Sequence, residues 1–177
     1  MYEAVGSYWK FAYELDTLFN YCVNQSMYRV RNAVIDNKTL IDHYGMTEDD
    51  RNFFDMQIKR SGADVFKKIS KLAEGITDAY QFEDENDSST SIINEAECIA
   101  YTLSFDGDWD ENLLNTFDIA LMDALINHIL AGWFRTNRLL DVASECMEDF
   151  ERNLTNINSL TMYRTTPTKR KYNTGFN

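Results

Sequence analysis

From Leu113 to Phe134 the chain is apolar nearly all round a helix, with Leu113, Leu114, Phe117, Leu121, Leu125, Ile129 and Trp133 and only a few polar interruptions. A helix apolar on most faces must be covered from several sides, so this segment predicts a central helix with the rest of the chain packed around it. Its most apolar run, Ile119–Phe134, is broken by Asp123, Asn127 and His128, which argues against a transmembrane span. A second constraint is proline, which occurs once, at Pro167, so nothing upstream of the tail breaks a helical pattern.

The other elements follow from period. Leu18–Val34 carries Leu18, Cys22, Tyr28, Val30 and Val34 at helix-compatible spacing, while the aromatic-rich Met1–Leu15 has no clear phase. Thr47-Glu48-Asp49-Asp50 opens a helix, a threonine cap followed by acids that complement the positive terminus. Phe54, Ile58, Val65, Ile69, Leu72 and Ile76 then recur at steps of three, four or seven, with Gly75 as the stop. In Cys98–Phe105 the period changes to two, with Ile99, Tyr101, Leu103 and Phe105 on the bulkier face. Paired with Ala79–Phe82, it predicts a hairpin inserted between helices. Asp108 or Asp110 caps the central helix, and a fourth helix over about Asn137–Leu160 shows a seam of Leu140, Ala143, Met147, Phe150, Leu154 and Ile157. The expected fold is therefore mainly α. Residues 1–160 form a helical bundle with a small β-hairpin at about 79–107, and residues 161–177 form an extended basic-aromatic arm. The expected core includes Phe54, Ile58, Ile69, Leu72, Leu121, Leu125, Ile129, Trp133, Phe150 and Leu154.

Length and composition support one packed domain: 177 residues, 44% hydrophobic and 14% aromatic, are enough for a real core. The net charge of −12 argues against a nucleic-acid-binding body and conceals an asymmetry. Thr161–Asn177 carries +4 (Arg164, Lys169, Arg170, Lys171), leaving −16 on the remainder. Ten acids and no Lys or Arg occupy Phe82–Glu111, beginning with Glu83, Asp84, Glu85 and Asp87. Such a run reads as a solvated loop, or as a surface that repels nucleic acid or attracts a basic partner. Three well-separated cysteines, Cys22, Cys98 and Cys146, read as buried thiols of a reducing compartment, and Met1–Leu15 does not have the form of a signal peptide.

No local motif carries an enzymatic chemistry. The chain has two histidines, His43 and His128, and neither H-E-x-x-H, a P-loop, G-x-G-x-x-G nor G-x-S-x-G. His128 on a nearly apolar helix reads as a packed, hydrogen-bonded core residue. Asp106-Gly107-Asp108-Trp109-Asp110 starts like a calcium loop, but its sixth position is Glu111 and its twelfth Phe117, so capping aspartates explain it better than a cation site. No catalytic, metal or cofactor residue is assigned.

In the C-terminal third a mostly apolar helix ends in Ala131-Gly132-Trp133-Phe134-Arg135. An acidic amphipathic helix, Leu139–Leu160, follows, and then a tail running from Tyr163-Arg164 through Pro167 and Lys169-Arg170-Lys171-Tyr172 to Phe176. This arrangement resembles the small head–tail connector (adaptor, ring or neck) proteins of tailed phages, particularly crAss-like phages and others of Bacteroidetes hosts. The likeness covers roughly Thr47–Asn177 and is best from Asp108 onward. It implies a virion structural protein, assembled in the bacterial cytoplasm and placed in the neck. The subunit would form a ring, a dodecamer if it follows portal symmetry, and dock below the portal protein. It would also meet further neck or tail proteins and extend the channel for DNA that passes without sequence-specific binding. Tyr163, Arg164, Lys169, Arg170, Lys171, Tyr172 and Phe176 would form the docking arm, and Glu83, Asp84, Glu85 and Asp87 the acidic channel or surface residues. Two other classes compete: an acidic DNA mimic that inhibits a host nucleic-acid-binding protein, and a cytoplasmic helical partner-binding module. The basic tail argues against the mimic.

Overall fold

The computed structural model describes residues 2–5, 8–33, 44–69, 81–82, 98–103, 105 and 109–162. Among these are four long helices: α1 (Leu15–Ala33), α2 (Arg51–Ile69), α3 (Leu114–Thr136) and α4 (Leu140–Thr161). Four strands accompany them: β1 (Tyr2–Val5), β2 (Tyr8–Glu14), β3 (Gln81–Phe82) and β4 (Cys98–Leu103). The fold is mainly helical with a small antiparallel hairpin, β3 with β4, between α2 and α3.

The hairpin does not stand alone. The aromatic N-terminal stretch supplies β1 and β2, giving an antiparallel sheet of order β1-β2-β4-β3. Register pairs Trp9 with Leu103, Phe11 with Tyr101 and Tyr13 with Ile99, so these large side chains line one face. Phe11, Tyr13, Ile99, Tyr101 and Leu103 join the main core, while Ala12, Cys98 and Ala100 form a small cluster on the other face.

α3 is the central helix. It packs extensively against α4 and also meets α2 and α1. It is long and apolar enough to cross a membrane, yet most of its apolar residues are spent inside the protein: Leu121, Leu125, Ile129 and Phe134 are fully buried, with Ile119 the exposed exception. Every expected core residue among those described is buried, and Leu72 lies outside the described residues, as do Ile76 and the expected stop at Gly75. Two glycines set how closely α2 can approach its neighbours. A Cβ on Gly62 would collide with Ile99 Cδ1 of β4, and one on Gly132 would lie 2.6 Å from the Gln57 amide.

The helix starts use the capping residues expected from sequence. Thr47 N and Oγ1 both donate to the Asp50 carboxylate, at 2.8 and 3.0 Å, and the chain passes through a 3-10 turn (Glu48–Asp50) into α2. Of the two candidate caps before α3, Asp110 takes the role, its carboxylate accepting from Asn112 N at 3.1 Å. The α3–α4 turn places Arg138 at φ 62°, a left-handed conformation that costs a non-glycine residue about 1 kcal/mol. Leu139 N donates back to Phe134 O at 2.9 Å and closes the turn.

Two positions depart from the expected seams. Leu140 is 62% exposed, because the turn releases the first residue of α4 outward; the buried seam is Ala143, Cys146, Phe150, Leu154 and Ile157. Tyr28 is 63% exposed, since α1 buries Leu18, Cys22, Ser26 and Val30 on the opposite side.

Candidate functional site

The acidic residues Glu83, Asp84, Glu85 and Asp87 and the arm residues Tyr163, Arg164, Lys169, Arg170, Lys171, Tyr172 and Phe176 all lie outside the described residues. The structure does fix where both segments are rooted. Gln81 pairs with Ala100 and Phe82 with Ile99, so the acidic segment leaves and rejoins the sheet at adjacent points. The arm starts beyond α4, whose last turn is pinned by Trp109 Nε1 donating to Leu160 O at 2.8 Å. Trp109 stacks on Phe105, which follows the far end of β4, at a centroid distance of 4.2 Å and 16° between planes. The acidic segment is thus rooted at the Cys98 end of β4, and the arm lies towards its Leu103 end, linked to it through Trp109 and Phe105.

The described surface is also split by charge. α4 turns Asp141, Glu145, Glu148 and Glu151 outward, whereas α2 turns Lys59, Arg60, Lys67 and Lys68 outward. The two faces meet where Lys68 Nζ approaches Glu151 Oε1 at 3.4 Å. Both side chains are more than half exposed, so this pair stabilises little.

Two polar junctions tie the bundle together; His128 is the packed, hydrogen-bonded residue expected from sequence, whereas its partners and the Arg29 network were not read from it. Arg29 of α1 donates through Nη2 to Asn127 Oδ1 of α3 and to Asp149 Oδ2 of α4, both at 2.7 Å. Arg152 Nη1 holds the other Asp149 oxygen at 2.9 Å, and Asn127 Nδ2 donates to Asp123 O at 2.9 Å. One guanidinium therefore ties three helices together, and charge-assisted bonds of this kind are stronger than neutral ones. The second junction joins α2 to α3: Ser61 Oγ lies 2.9 Å from His128 Nδ1, and His128 Nε2 lies 3.5 Å from Asp64 Oδ2. Asn127 and His128 are consecutive, so helical rotation sends one towards α1 and α4 and the other towards α2. The signal for both was their interruption of an apolar helix; their partners are remote in sequence.

The serine–imidazole pair has the spacing of a nucleophile and its base. Ser61 is completely buried, however, so no substrate reaches its oxygen, and the ring of His128 packs 4.8 Å from that of Phe150. Burial lowers the His128 pKa below its ordinary value, Asp64 and Glu151 pulling upward and Arg135 and Arg60 downward. The pair acts as a helix-to-helix hydrogen bond. The three thiols are all buried and free, and burial raises each, Cys146 to about 11, so they stay protonated and poorly nucleophilic. Among the described residues no three His, Cys, Asp or Glu side chains converge where a metal ion could sit. Asp110 belongs to the helix cap, while Asp106 and Asp108 lie outside the described residues. Compared with protein-family models, curated proteins and solved structures, the chain matches nothing.

Proposed function

We propose that this chain is a virion structural protein, a head–tail connector subunit that forms a ring below the portal and extends the DNA channel towards the tail. The observation that carries this reading is the charge split between a −16 body and the +4 arm that leaves the end of α4. A subunit built this way can grip an acidic neighbour through its arm while its body repels passing duplex phosphates. Arg164, Lys169, Arg170 and Lys171 supply the charge, and Tyr163, Tyr172 and Phe176 the apolar anchors that charge cannot replace. The partners are other copies of the chain, the portal protein and further neck or tail proteins, with no membrane and no sequence-specific contact to DNA. The acidic outward face of α4 supports the repulsive role of the body, and the pinned end of α4 gives the arm a fixed root.

Deletion of the arm from Thr161 onward tests the reading. The Trp109–Leu160 bond survives that deletion, so the truncated chain should fold with unchanged helical circular dichroism. The full chain should form rings visible by electron microscopy and give a band in purified virions, and the truncated chain should do neither. A full-length chain that stays out of virions and binds a host nucleic-acid-binding protein instead would replace this reading with the DNA-mimic one.

A further inference from the structure

The outward face of α1 is unlike the rest of the surface. From Thr17 to Tyr28 the sequence contains no charged residue, in a chain that is 26% charged. Thr17, Asn24 and Arg31 follow one line along the exposed side at seven-residue steps, and Tyr21 and Tyr28 flank it, 45% and 63% exposed. Tyrosine and asparagine at such exposure give contact area and hydrogen bonds at low entropic cost, as in protein interfaces. Charge is confined to the ends of the face, with Asp16 in the first turn and Arg31 in the last.

We propose that a second copy of this chain docks here, α1 against α1, antiparallel, about a two-fold axis near Asn24. Two chains each carrying −12 repel wherever their acidic surfaces meet, and this neutral face lets them approach without that cost. The antiparallel arrangement is selected by its ends. It sets Asp16 of each copy beside Arg31 of the other, whereas a parallel one sets like charges together. Asp16 already holds Arg51 within its own chain, yet its side chain is 72% exposed and can accept more. The same patch serves both copies, as a two-fold contact requires. One helix pair buries less than the roughly 1,200 Å² of a standard interface, so the dimer should dissociate in the micromolar range. The inference concerns the free chain and does not depend on the connector reading; removing the arm leaves α1 intact.

Sedimentation velocity of the full chain from low to high micromolar concentration should show reversible dimers. Asn24→Asp, which sets two carboxylates at the axis, should weaken them about tenfold or more. Arg31→Glu should weaken them too, and Arg31→Glu combined with Asp16→Arg should restore them. Under mild oxidation Asn24→Cys should cross-link as a homodimer much faster than Ser144→Cys on the exposed side of α4, the native thiols being buried. Circular dichroism confirms that each variant is folded. The proposal is overturned if the wild type stays monomeric throughout, if Asn24→Cys links no faster than Ser144→Cys, or if Asp16→Cys links to itself, which would indicate parallel pairing.

Discussion

The α3–α4 pair and the sheet occupy one core but are assembled in opposite ways. α3 and α4 are neighbours in sequence, joined by a three-residue turn, and each declares itself through its own apolar period. The central strands β2 and β4 are separated by α1, α2 and the β3 hairpin arm, and neither buries its residues on one face only. Local repetition makes the first region, and closure of the chain onto itself makes the second. The difference matters for stability because the two regions share their side chains. Phe117 of α3 lies 5.0 Å from Phe11 of β2 and 5.2 Å from Phe105 beyond β4, centroid to centroid. Tyr13 of β2 donates from its hydroxyl to Asp118 O at 3.0 Å.

The largest effect should come from breaking that shared contact. Phe117→Ala should cost about 3–5 kcal/mol in urea denaturation, by lost burial and the cavity left behind. Fluorescence from the tryptophans and far-ultraviolet circular dichroism should still report one transition. Two separated transitions would mean that sheet and helical pair are independent units.

The two tight glycines probe the two regions separately, because Gly62 of α2 faces the sheet and Gly132 of α3 faces α2. Gly62→Ala would drive a methyl into Ile99, which is fully buried between β4 and the helix, and should cost about 1–3 kcal/mol. It would also strain the bond from Tyr101 Oη to Gly62 O, now 3.1 Å. Gly132→Ala meets only the amide end of Gln57, a longer and partly exposed side chain that can swing away. Its gain in helix propensity, up to about 1 kcal/mol, should leave it neutral or stabilising. Equal losses from both substitutions would show the helical layer to be as unyielding as the sheet.

The smallest effect is a pH dependence local to the α2–α3 junction. Because burial lowers the His128 pKa in the folded chain, the unfolded chain takes up the proton first as pH falls. The contribution is therefore present above the unfolded value of about 6.5, is lost as pH falls below it, and levels off below the folded value. His128→Gln keeps an acceptor for Ser61 and removes the titration. The stability difference between wild type and variant should shift against the wild type on going from about pH 7.5 to about pH 5. An unchanged difference would mean that His128 is solvated as freely as in the unfolded chain.

Much of the helical layer could be read from residue order because burial on one side imposes a period of three and four. Phe54, Ile58 and Ile69 on α2, and Phe150 and Leu154 on α4, were legible for that reason and are buried. The N-terminal strands were not legible. Trp9, Phe11 and Tyr13 do alternate with Lys10, Ala12 and Glu14, but the run is short and its aromatic neighbours Tyr2 and Tyr8 blur the phase. Its partner β4 lies about ninety residues away. The single polar residues inside the bundle were visible as interruptions, but a sequence names a donor without naming its acceptor. Arg29 meets Asp149 across 120 residues and Ser61 meets His128 across 67, and only the packed helices bring them within reach. Residue order sets the period of each helix, the acidic body and the basic arm, since these depend on neighbours along the chain. Packing alone sets the sheet order, the polar partners and which side of the uncharged α1 faces outward, because each depends on what lies on the far side of an element.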